Sequence, residues 1–175
     1  MKRLTLTVGA LAAGCALLAA SVPAVANAAP GADPKKPTKV VLYAENRGIA
    51  RVDNNASGAL EHGDSVNREL AISQTPGGKV IGVSYSQAEI VAYNPEAKVD
   101  VRRVHVINQL PGGDLITEGL SNLPIGSVPG PGWKDTYAII GGTGKYAGVR
   151  GTEQLTLMAD GKTFKKVLTL FPYSP

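Results

Sequence analysis

The amino-acid sequence predicts an all-β chain, an eight-stranded antiparallel up-and-down β-barrel. Three observations lead there. Runs rich in Val, Ile, Thr and Tyr recur between residues 39 and 171, and no stretch holds a helical period long enough to trust. Short turns containing Gly, Pro, Asn or Asp separate nearly all of these runs, so successive strands must be antiparallel neighbours. A sheet of this size with one apolar face removes its open edges by closing on itself.

The chain opens with Lys2 and Arg3, continues as the apolar run "LTLTVGALAAGCALLAA" and ends that segment with the small residues of "SVPAVANAA". This is the pattern of a secretory signal peptide, placed at 1–28, with cleavage equally readable after Ala26 or Ala28. Residues 29–37 read as a flexible linker and 38–175 as the barrel domain. Cys15, the only cysteine, falls inside the signal, which leaves the exported chain with neither disulfide nor thiol nucleophile. "AAGC" also admits a second localisation, a lipid anchor through Cys15. Without Lys2 and Arg3 the 18 basic residues come close to balancing the 14 acidic ones. That balance points away from nucleic acid and from stable membrane association.

The elements follow in order. "KVVLYAE" (39–45) and a short "GIARVD" (48–53) come first, then "SVNRELAISQ", which "TPGGK" (75–79) joins to "VIGVSYSQAEIVAY". "NPEAK" (94–98) leads into "VDVRRVHVINQL", and "PGGD" (111–114) into "LITEGL". "DTYAII" (135–140) and "TEQLTLM" come next. The Asp-Gly of "ADGK" (159–162) then makes the last hairpin, to "TFKKVLTLF". The long loop "SNLPIGSVPGPGW" (121–133) crosses one rim, with Trp133, the only tryptophan, as its anchor. In "VDVRRVHVIN" the valines change parity at Arg102-Arg103, which predicts a β-bulge there.

"AIIGGTGKYAGVRG" (138–151) looks at first like a nucleotide loop. A dinucleotide fingerprint needs a helix after its glycines and a second acidic strand. Here a strand and a hairpin follow instead, and a Walker loop would need Ser or Thr after Gly-Lys. The glycines therefore predict a barrel corner, where close backbone approach and positive φ are required. One face of "KVIGVSYSQAEIVAY" carries Gly82, Ser84, Ser86 and Ala88. If that small face points inward, it leaves room for a ligand.

"DTYAIIGGTGKYAGVRG" resembles the signature of the allene oxide cyclase barrel superfamily, which includes the dirigent proteins. Fainter likeness extends over most of residues 40–171. The resemblance implies an eight-stranded barrel, commonly a homotrimer, whose lumen holds a hydrophobic small molecule. Aligning Tyr43 with the family's first-strand tyrosine puts Ala44 at the cyclases' glutamate and Asn46 at their asparagine. Glu45 could replace that glutamate only through a bulge. Ala88 stands at the cyclase cysteine, and Arg150 matches the arginine of the dirigent proteins.

These readings name Arg150 and Asn46 as candidate catalytic residues and Ser84, Ser86 and Tyr137 as ligand contacts. No metal and no cofactor is expected, since His62 and His105 lie far apart and no carboxylates cluster in the sequence. The expected function is a secreted barrel that binds a hydrophobic small molecule and steers its cyclisation or coupling. The alternative is a non-catalytic carrier or a cell-envelope interaction module, and the sequence leaves the choice between enzyme and binder open.

Overall fold

A computed structural model describes residues 36–171, so the expected signal peptide and all of the linker except Lys36 and Pro37 lie outside the described residues. Eight strands follow one another: β1 (Thr38–Val52), β2 (Ser65–Ser73), β3 (Val80–Asn94), β4 (Val99–Leu110), β5 (Gly113–Pro124), β6 (Lys134–Gly142), β7 (Arg150–Leu157) and β8 (Thr163–Phe171). Each pairs antiparallel with the next. β8 returns to pair with β1 from Thr38↔Leu170 to Glu45↔Thr163, closing the barrel. The predicted fold class is the observed one.

Three local expectations change. "GIARVD" is no separate strand, because β1 runs through it with an irregularity at Arg47, between Asn46 and Gly48. β5 continues to Pro124, which shortens the long loop to 125–133. The bulge expected at Arg102-Arg103 is absent, and the register of β4 instead shifts on its partner, between Ile90 and Ala92 of β3. β4 alternates regularly: Asp100, Arg102, Val104, Val106 and Asn108 are all buried on one face. The apparent change of valine parity came from assuming that charged side chains point outward. In this barrel two of them point in.

Up-and-down order gathers loops 53–64, 95–98, 125–133 and 158–162 at one end and turns 74–79, 111–112 and 143–149 at the other. The second end is closed by the glycine corner. Its only helical piece is one 3-10 turn, Gly144–Tyr146, after which β7 runs antiparallel to β6. The Thr143 and Lys145 amides donate to the carbonyls of Asp114 (2.9 Å) and Gly112 (2.8 Å), and Thr143 Oγ1 accepts from the Asp114 amide at 2.9 Å. A phosphate cradle needs such amides free; here the β4–β5 turn has taken them. Gly144, at φ 57°, lies so close to Gly112 that a side chain would meet its carbonyl. Tyr146 packs against the core from this corner.

At Gly151, the second residue of β7, the backbone lies close against β8. A Cβ there would fall inside contact distance of the Thr169 carbonyl, whereas one on Gly130 meets nothing within 4 Å. We expect Gly151→Ala to cost about 1–3 kcal/mol and Gly130→Ala to stay within roughly 0.5 kcal/mol of the parent, as measured by urea unfolding.

Candidate ligand pocket

The loop-rich end opens into the lumen through two adjoining cavities. The inner one has about 50 Å³ of space for the centre of a water-sized sphere, and its walls include Leu70, Ala88, Val104, Leu155, Trp133 and Phe164. The outer one, about 150 Å³ by the same measure, is lined by Asn46, Ile49, Arg51 and Lys162 among others. Arg68, Pro129 and Phe164 border both and form the neck between them.

Local sequence explains this shape. On β3 the small face does point inward: Ser84 is wholly buried, and Ser86 and Ala88 line the inner wall. Tyr137 enters because Gly119 on the neighbouring strand has no side chain; a Cβ there would meet the Tyr137 ring at 2.6 Å. The extra residue at Arg47 reverses the alternation of β1, so Leu42, Ala44 and Asn46 face inward before it, and Ile49 and Arg51, paired with Arg68 and Val66, do so after it. Trp133 meets Phe164 edge to face at 6.3 Å, which makes it both loop anchor and pocket wall.

The floor is polar. Lys166 Nζ contacts Glu153 Oε1 at 2.9 Å and donates to Asn108 Oδ1 at 2.7 Å and Ser84 Oγ at 3.1 Å, with all four residues buried. Nearer the mouth, buried Arg102 donates through Nη2 to Asp100 Oδ2 (2.9 Å) and to the Ser127 carbonyl (2.6 Å). Asp100 Oδ2 also accepts from the Gly126 amide at 2.9 Å. This ion pair ties loop 125–133 over the opening. Across the mouth, Asp160 accepts the Thr163 hydroxyl together with the Thr163 and Lys162 amides, which hold its carboxyl below the usual range and set the hairpin carrying Gly161 and Lys162.

Tyr137 donates its phenol to Asp135 Oδ2 at 3.2 Å. Burial, reinforced by the Asp135 carboxylate, pushes that phenol well above the usual tyrosine range, so it remains a donor. Arg68, on the lumen side of β2, is shifted the other way, chiefly by desolvation and next by the positive charge of Arg102. None of the ion pairs among the described residues includes Arg68 or Arg51.

The residues expected from sequence are thus distributed unevenly. Ser86 and Tyr137 line the inner cavity, and Asn46 lines the outer one with its Oδ1 buried and unpartnered. Ser84 lies beneath the cavity, held by Lys166. Arg150 is exposed at the closed end, and its Nη1 donates to the Val149 carbonyl at 3.1 Å; the fold does not bring it to Asn46 or to either cavity. Ala44 is wholly buried at the position of the missing acid. Glu45 remains outside, bonded to Lys162 Nζ at 2.7 Å, because the β1 irregularity comes after it. Sequence reading missed Lys166, Glu153, Asn108, Asp100, Arg102 and Arg68. Their signal was a charged or amide side chain sharing parity with an apolar row, as Lys166 does with Phe164, Leu168 and Leu170. Among the described residues no three His, Cys, Asp or Glu side chains converge as a metal site would require.

Several solved structures share this architecture. One is a pyocyanin demethylase, with TM-score 0.61 and 22% identity over 76% of this chain and 99% of that one. Another is a pterocarpan synthase dirigent protein, with TM-score 0.58 and 17% identity over 80% and 87%. The shared fold is the closed antiparallel barrel. The Diels–Alderase from Streptomyces koyangensis has it too, at TM-score 0.59 and 13% identity over 79% of this chain and 70% of that one. At such identities the dirigent-like likeness concerns the fold, and function must be argued from the pocket. No described protein family and no curated protein matches the sequence.

Two expectations follow from the polar floor of this barrel. Glu153→Gln should cost about 3–5 kcal/mol in urea unfolding because it strands a buried lysine, while Glu153→Gln with Lys166→Met recovers most of that loss. In an alkaline absorbance titration, Tyr137→Phe should leave the tyrosine signal of the folded protein unchanged through the usual tyrosine range, since burial and the Asp135 carboxylate raise the Tyr137 phenol above it.

Proposed function

We propose that this chain is an exported barrel that binds one small, mostly apolar molecule in its lumen and steers the ring closure or coupling of that molecule. The observation that carries this reading is the inner cavity itself: apolar walls from six strands, with Ser86, Tyr137, Arg68, Arg102 and Lys166 as its convergent polar groups. Shape does most of the work in such a site. Walls that admit one folded conformer of a reactive molecule remove the entropy of reaching it. The Arg68 guanidinium at the neck then favours negative charge developing on an oxygen of the bound molecule. Asn46 offers an unpartnered carbonyl oxygen to a ligand group in the outer cavity. The fold shared with a Diels–Alderase and a dirigent protein supports this by analogy.

A second reading is carriage without chemistry. It is favoured by one observation: no carboxylate lines either cavity, so the pocket has no evident general base.

The test is to recover the protein from culture medium and weigh it under native conditions. We expect a co-purifying small molecule in the parent protein, and its loss in Ser86→Leu and Ala88→Leu, which fill the inner cavity while the circular dichroism of the barrel is retained. Conversion of that molecule's open or uncoupled precursor by the parent, but not by the filled variants, supports steering. Uptake and release unchanged supports carriage. A parent with nothing bound, and no affinity for apolar probes, overturns both.

A further inference from the structure

We infer that the molecule held in the lumen is an apolar carboxylate whose head is bound by Arg68 at the neck between the two cavities; this rests on the lumen-binding reading above. The argument is a charge count made where it matters. Five cationic side chains line the two cavities, Arg51, Arg68, Arg102, Lys162 and Lys166, and no Asp or Glu lines either. Three of the five already have a carboxylate: Arg102 has Asp100, Lys166 has Glu153 and Lys162 has Glu45. Arg68 and Arg51 have none among the described residues.

Arg68 is the more consequential of the two. It is half-buried, faces the lumen opposite Ser86 in the β2–β3 register, and borders both cavities. Its charge is disfavoured by desolvation and by repulsion from Arg102 and Arg51. An uncompensated cation in such a place is costly, and an arriving anion relieves the cost. A guanidinium fork matches the two oxygens of a carboxylate, so the relief comes with a fixed orientation. Leu70, Ala88, Val104 and Phe164 then receive the apolar body, and the small inner volume limits it to a short chain or a single ring. Arg51, exposed at the outer cavity, attracts the same charge from solvent.

The test uses the mature protein and three probe pairs, hexanoate, octanoate and 3-phenylpropanoate, each with its primary amide, followed by Trp133 fluorescence and calorimetry. Each carboxylate should bind about tenfold or more tightly than its amide, a preference that weakens with salt. Arg68→Gln should abolish the preference without loss of fold, because it removes a repelled cation. Arg68→Lys should keep part of it, and Arg150→Gln, at the opposite end and outside, should leave it intact. Equal binding of carboxylates and amides, or a preference that survives Arg68→Gln, overturns the carboxylate assignment while leaving the lumen-binding reading in place. Binding of no probe of either kind, in a protein shown to be folded, overturns both.

Discussion

Closure governs this molecule. In a sheet with no edge, a side chain pointing into the depth of the barrel is cut off from water and must be satisfied by what the other strands and loops bring to it. Lys166 is the clearest case. Its contacts come from β3, β4 and β7, through Ser84, Asn108 and Glu153, and none of them is near it in sequence. A lysine placed there without those three would be an uncompensated charge in the core. The interior is therefore two things at once: an apolar column around Leu42, Ile72, Leu115 and Leu168 toward the closed end, and a satisfied polar floor on which the pocket stands.

The two ends of the barrel are built on opposite principles. At the closed end the glycines of 141–151 let backbone lie against backbone, and the amides that would make an anion site are spent on the β4–β5 turn. At the open end the Asp100–Arg102 pair reaches out of the barrel to hold loop 125–133, which brings Pro129 and Trp133 over the mouth. The two cavities lie at the tethered-loop end, and Arg68 borders both of them.

The shared fold with a demethylase, a Diels–Alderase and a dirigent protein illustrates how little the barrel itself dictates chemistry. The closed barrel is what these proteins share with this chain, at 13–22% identity. In this chain Ala44 is buried in the barrel, and the cavities are lined by cations and by no carboxylate. The chemistry available is therefore shape, hydrogen-bond donation and positive charge.

The closed up-and-down barrel and its glycine corner could be read from the sequence, because alternation and turn residues are local properties of the chain. That "GIARVD" continues β1 and that the small face of β3 turns inward came from the structure. The interior charges were not legible either, and β4 shows why. Read alone, "VDVRRVHVIN" looks like valines inside and charges outside with a slip between, yet the strand is regular and buries Asp100 and Arg102. Which face of a strand goes inward when charges sit on an apolar row depends on whether partners wait on other strands. Asp100 has the Gly126 amide, Arg102 the Ser127 carbonyl, and Lys166 has Glu153, 13 positions away in sequence and on the adjoining strand. Placement of Arg150 was decided the same way: its motif is local, but its face followed from Glu153, Leu155 and Leu157 turning inward and leaving the even-numbered residues of β7 outside. The sequence alone determined that a closed barrel forms and where it turns. Only the tertiary structure decided which charges are compensated inside it and that Arg68 is not, because compensation depends on which strands and loop groups the closed sheet brings beside each charge.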